Sequence, residues 1–157
     1  MKPNIGITEK NLKSVTDLLG KSLADVHVLY IKTRKFHWNV KGPSFMELHK
    51  LFESQYEKLA GAIDEIAERI SKLGNSVPGT MEEFLKEASL KETPGKIPDQ
   101  EGMINELLSD HETIIKALRV QIDACADKYS DKGTADFLTG LLQEHETIAW
   151  TLRRYNK

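Results

Sequence analysis

The chain has 157 residues, 39% of them apolar and 29% charged, which suits one globular domain over residues 1–157 and is neither a disordered nor a fibrous composition. Its 22 Lys and Arg against 24 Asp and Glu leave a net charge of −2, without the basic excess of a nucleic-acid binder. No apolar run approaches the roughly 20 residues that a membrane span needs, and the opening MKPNIGITEKNLK has no signal-peptide core. The single cysteine, Cys125, excludes an internal disulfide and reads as a small buried hydrophobe in a reducing compartment, so the expected location is cytoplasmic.

Helical periodicity dominates. The first predicted helix runs from Thr8, its N-cap, to about Trp38, with Leu12, Val15, Leu19, Leu23, Val26 and Tyr30 on one stripe that Thr33 and His37 continue. Lys41-Gly42-Pro43-Ser44 breaks it. A second helix spans about Ser44 to Leu73, stopped by Gly74. The segment from Gly74 to Pro98 is too long for a bare helix–helix loop. Inside it, Thr80 and Glu83 form a capping-box pattern, and Met81, Phe84, Leu85 and Ala88 could line one face of a short helix. A third long helix is expected from Asp99 to about Lys128. After a turn at Ser130-Asp131-Lys132-Gly133, a fourth runs from Thr134 to about Tyr155. The fold class is therefore all-α: a four-helix bundle with one long crossover that carries a short extra helix, the ferritin-like connectivity.

The second helix has two faces. Phe45, Leu48, Phe52, Tyr56, Leu59, Ile63, Ile66 and Ile70 make an apolar stripe for the chain's own core. Beside it lie His49, Glu53, Glu57, Ala60, Gly61, Asp64 and Glu68. Glu57 reads as solvated. Asp64 and Glu68 stand four residues apart, as do His49 and Glu53, and His37 sits across the short turn from His49. Such imidazoles and carboxylates suit Fe, Mn or Zn. An i,i+4 carboxylate pair is ordinarily a solvated face, and a lone His is ordinarily not a ligand, so spacing alone leaves both readings open. His49 and Asp64 are fifteen residues apart, about 22 Å along a helix. They cannot hold one ion within one chain. Two copies of the helix crossing antiparallel about a two-fold axis near Ala60 and Gly61 would bring the His end of one to the Asp64/Glu68 end of the other. Gly61 in mid-helix costs about 1 kcal/mol relative to Ala, which implies a packing reason for it.

The stretch from Lys35 to Arg69, KFHWNVKGPSFMELHKLFESQYEKLAGAIDEIAER, combines a His-Trp pair, a Gly-x-x-Phe turn, a second His and a D-x-x-A-E-R ending. It resembles the Dps family, the starvation-induced mini-ferritins, and the likeness extends over essentially the whole chain, including the tail HETIAWTLRR. The resemblance implies that His37 and His49 are ferroxidase ligands, and that Asp64 and Glu68 come from the neighbouring subunit. It places Glu53 where the family often has Asp, and Trp38 beside the site, there either to intercept one-electron oxidants or to pack at the interface. It further implies a two-iron site, oxidation of Fe(II) preferably by hydrogen peroxide, and ferric storage in a hollow dodecamer. Asp131 and Asp136 would lie near an acidic pore through which iron reaches the cavity.

The alternatives are a DNA-compacting structural protein with little ferroxidase activity, and a ferritin with its site inside each bundle. The first calls for a Lys-rich tail, but the segment before Thr8 has only Lys2, and the end Arg153-Arg154-Tyr155-Asn156-Lys157 is a small cluster; little or no DNA binding or nucleoid association is expected. The second needs Glu-x-x-His pairs, and the third and fourth helices carry Asp110-His111 and Glu144-His145 instead. A helical zinc-protease motif is absent as well, because Ile115 and Ala149 stand four residues after those histidines. His111 and His145 are expected at the surface or behind a site. Asp110-His111-Glu112-Thr113-Ile114 echoes Glu144-His145-Glu146-Thr147-Ile148.

Overall fold

A computed structural model describes residues 3–155. The helices are α1 (Glu9–Asn39), α2 (Phe45–Lys72), α3 (Met81–Glu87), α4 (Gln100–Asp123) and α5 (Lys132–Arg153), with no strand among the described residues. Local chemistry sets most boundaries. Thr8 caps α1 by accepting from Asn11 N, and Asp99 caps α4 by accepting from Gly102 N. Gly74 follows α2 at φ +84°, a left-handed position that stops a helix cheaply only with glycine. The capping box at Thr80 and Glu83 is complete and starts α3.

The helices pack as two hairpins, α1 with α2 and α4 with α5. Lys32 in the second half of α1 bonds Glu106 and Asp110 in the first half of α4, so those two helices run antiparallel. Arg69 near the end of α2 meets Asp131 and Thr134 at the start of α5. The long connection therefore carries the chain from one end of the bundle to the other, as the ferritin-like topology requires. Leu12, Val15, Leu19, Leu23 and Val26 are buried as the periodicity predicts, and Leu48, Phe52, Leu59, Ile66 and Ile70 face them from α2.

Three expectations are corrected, while the third long helix ends near Lys128 as expected. Phe45 is 40% exposed, because it stands in the first turn of α2 beyond the main seam. In α3 only Phe84 points inward, with Ala88 buried just after it, whereas Met81 and Leu85 face solvent: seven residues offer one inward position. The third long helix ends in a π-helical turn over Ala124–Lys128, where Tyr129 N bonds Ala124 O, and Ser130 then takes φ +57°. The last helix starts at Lys132, two residues before Thr134, because Asp131 caps it. Cys125 is fully buried in the π turn, and burial pushes its thiol up to about 11, so it is inert at neutral pH.

Asp25 ties the crossover to α1. Its buried carboxylate accepts from Ser89 N (2.7 Å), Ser89 Oγ (2.8 Å) and Leu90 N (2.9 Å). Lys35 Nζ adds a bond to Thr93 O at 2.8 Å. Substituting Asp25→Ala strands a buried amide, so we predict a loss of about 2 kcal/mol in urea unfolding. Faster proteolysis of the crossover should accompany it; an unchanged midpoint would show that the carboxylate is dispensable.

Candidate metal centre

The turn between α1 and α2 brings two histidines together. Val40 N bonds Phe36 O to close α1, and Phe45 N bonds Gly42 O as α2 opens. Gly42 has φ +122°, and a Cβ there would press on the Gln100 side chain at 3.1 Å, so this turn requires glycine. His37, in the last turn of α1, then stacks on His49 of α2 with ring centroids 3.8 Å apart and planes 17° from parallel. The two residues exchange hydrogen bonds. His37 Nδ1–H donates to His49 O (2.8 Å), and His49 Nδ1–H donates to His37 O (3.0 Å). A carbonyl oxygen can only accept, so each Nδ1 must carry a proton, and the neutral tautomer that fits these bonds has its lone pair on Nε2. That is the tautomer a metal-binding imidazole needs, with its orientation already set by a backbone acceptor.

Around this pair, Tyr56 meets His37 edge-on at 5.3 Å. The Arg34 guanidinium lies over the rings of Tyr30, Trp38 and Tyr56, and its Nη1 donates to Tyr30 Oη at 2.9 Å. Desolvation, with Glu53 and Glu57 nearby, raises the Tyr56 phenol. Trp38 is 64% exposed. Glu53 stands half-buried one turn along α2 from His49.

Asp64 and Glu68 are not part of this cluster. Both are exposed on α2, and Glu68 donates nothing but accepts from Lys72 Nζ at 2.7 Å, which holds its carboxyl below the usual range. Between them and the histidines, Ala60 and Gly61 lie bare, with nothing within 4 Å of where a Gly61 Cβ would stand. Among the described residues of one chain, no three His, Cys, Asp or Glu side chains gather closely enough to hold a metal ion.

Asp131 has other employment than the one expected of it. It is 2% exposed; Oδ1 accepts from Thr134 N (2.9 Å), Oδ2 from Thr134 Oγ1 (2.5 Å), and Arg69 Nη2 approaches at 3.2 Å. The carboxylate is spent on capping α5 and joining it to α2, whereas Asp136 is exposed. His111 and His145 are also corrected. They are in the core, at 0% and 1% exposure, with Nδ1 atoms 2.8 Å apart. A signal for this was present: each lies at helical spacing with buried leucines and isoleucines, Leu107, Ile114 and Leu118 for one and Leu141, Ile148 and Leu152 for the other.

A family model for the ferritin-like domain matches residues 16–157. The chain is 50% identical to a low temperature-induced protein of Nostoc sp. PCC 7120, over 97% of this chain and 85% of that one. It is 40% identical to DNA protection during starvation protein 2 of Bacillus anthracis, over 91% of this chain and 97% of that one. The chain belongs to the Dps family of ferritin-like proteins. A Dps structure from Vibrio cholerae O1, described as a member of a broad superfamily of ferritin-like diiron-carboxylate proteins, superposes with a TM-score of 0.93 at 29% identity, covering 99% of this chain and 97% of that one.

In this Dps-family chain the two candidate pore acids should separate cleanly. Asp131→Ala removes a cap and orphans buried donors, with an expected loss of about 2 kcal/mol in thermal or urea unfolding. Asp136→Ala should leave the unfolding midpoint unchanged. Equal losses for both would mean that Asp136 has a structural bond as well.

Proposed function

We propose that this protein oxidises Fe(II), preferably with hydrogen peroxide, at sites shared between two copies of the chain, and stores the ferric product in a hollow dodecamer in the cytoplasm. The observation that carries this reading is the reciprocal Nδ1–H bonding of His37 and His49, which prepares two Nε2 lone pairs at one end of an uncovered helix face. The carboxylates that would complete the site stand further along the same helix, Asp64 about 22 Å and Glu68 about 28 Å from His49. A two-fold axis near Ala60 and Gly61 would lay the two α2 helices antiparallel and place Asp64 and Glu68 of the partner subunit against His37 and His49, giving two equivalent sites per dimer.

The division of labour follows from ligand chemistry. The imidazoles bind Fe(II), and the partner's Asp64 and Glu68 add negative charge that favours the ferric product. Glu53 would serve the second ion, and Glu68 would be the carboxylate to bridge the two. Its bond to Lys72 is an exposed i,i+4 pair, cheap to break when the site assembles. Two ferrous ions give one electron each to one peroxide, which takes up two protons and leaves as two waters, so no hydroxyl radical is released. Trp38, exposed at this face, either packs across the interface or takes up stray one-electron oxidants. Asp136 is the remaining candidate for the acidic pore.

Several relatives are named for DNA protection, and that protection is proposed here to come from removing iron and peroxide rather than from coating DNA. The net charge is −2. Arg153 is ion-paired with Glu112 at 2.8 Å and Arg154 lies over Trp150, while Lys2, Asn156 and Lys157 lie outside the described residues.

Mixed assemblies test the shared site. His37→Ala/His49→Ala and Asp64→Ala/Glu68→Ala chains should each oxidise Fe(II) slowly after anaerobic loading and peroxide addition. Unfolded together and reassembled, they should regain activity, because a mixed dimer holds one site with both halves intact. No recovery on mixing would reject the shared geometry, and full activity of the double-histidine variant would reject the ferroxidase assignment itself.

A further inference from the structure

The α4–α5 hairpin has an internal two-fold pattern that the iron chemistry does not use. His111 and His145 are 34 residues apart, and their imidazoles meet in the core. The same offset relates Asp110 to Glu144, Glu112 to Glu146, Ile114 to Ile148, Leu118 to Leu152 and Arg119 to Arg153. The contacts repeat with it. Arg119 pairs with Glu146 at 2.5 Å and Arg153 with Glu112 at 2.8 Å, so the two ion pairs cross the hairpin reciprocally. Asp110 is held by Lys32 of α1 at 2.6 Å, and Glu144 faces Lys58 of α2 at 4.0 Å. The short echo in the sequence is thus one structural unit, with the two histidines at its centre.

We infer that the His111–His145 contact is an acid-released latch that joins α4 to α5 only while the imidazoles are neutral. One ring donates Nδ1–H to the bare Nδ1 of the other, and both Nε2 atoms are buried without a partner. A first proton places a cation in the core with no free carboxylate to pair it. A second removes the acceptor and sets two cations in contact inside the core, an arrangement that only separation of the helices relieves. The surrounding charges do not compensate. Asp110 and Glu106 are committed to Lys32, Glu112 and Glu146 to the crossing arginines, Glu144 faces Lys58, and Asp25 holds the crossover. Burial lowers both histidines, His145 to about 4, and holds His111 well below its ordinary value with its neighbour's help. In the opened hairpin each ring returns to its ordinary value of about 6.5. The sign follows: the closed form is at full advantage above that value and loses it as the pH falls from about 6.5 towards 4, because only the open form takes up protons there. Asp110, raised mainly by desolvation, works weakly in the opposite direction.

Two protons taken up on opening make the opening constant rise by up to about 100-fold per pH unit within that window. Hydrogen exchange of the assembled protein from pH 7 to 4, corrected for intrinsic exchange, should show this steep rise in α4 and α5 amides and a shallower one in α1 and α2. A His111→Leu/His145→Leu variant, which replaces both partners with apolar groups, should flatten the α4–α5 profile and stay closed to lower pH. Should that variant not fold, the profile of the parent decides alone. A parent profile that is equally shallow in all four helices, or a variant that opens with the parent's slope, would overturn the latch.

Discussion

The antiparallel seam between α1 and α2 sets everything else in place. Leu19, Leu23, Val26, Leu29 and Phe36 bury against Leu48, Phe52, Leu59 and Ile66, and this packing fixes the register of the two helices to within a residue. A slip of one position would rotate each helix by about 100° and expose its apolar stripe. The five-residue turn from Val40 to Ser44 is short enough that the register also fixes its own ends. His37 is therefore brought against His49, and the two satisfy each other's backbone carbonyls. The prepared imidazoles are a by-product of hydrophobic packing rather than of any metal.

Polar groups tie the remaining elements to that seam, and each is nearly saturated. Asp25 accepts three bonds from the crossover, Lys32 reaches two carboxylates of α4, and Asp131 serves two helices at once through Thr134 and Arg69. Buried charges of this kind cost stability unless paired, so their value is in specifying which ends meet. The α4–α5 hairpin differs, because its central contact is between two neutral rings with one nitrogen each unsatisfied. It holds at neutral pH for want of protons, which distinguishes it from the ionic ties on either side.

Much of the helical architecture was legible in local chemistry. Thr8, Gly74 and the Thr80–Glu83 box act within one or two turns of the chain, and the boundaries they set agree with the structure to within two residues. The nearness of His37 and His49 was legible for the same reason, since only a short turn separates them. Less visible were the surroundings of single residues. Asp131 reads as a turn acid or a pore acid, and the structure gives its carboxylate to the Thr134 cap and to Arg69, from sixty-two residues away. Phe45, Met81 and Leu85 read as members of inward apolar faces, yet each remains exposed in the folded chain.

The sequence by itself determined the helices, the crossover, the two faces of α2 and the impossibility of a one-chain site between His49 and Asp64, because 1.5 Å per residue is a property of any α-helix. Only the tertiary structure decided the protonation pattern of His37 and His49, which depends on carbonyls brought from the opposite helix. It alone decided that His111 and His145 meet, since a histidine on a buried face has no partner until two helices choose their azimuth. Spacing along the chain is inherited from the polypeptide, whereas contact between distant groups exists only once packing has paid its entropy and chosen a single register.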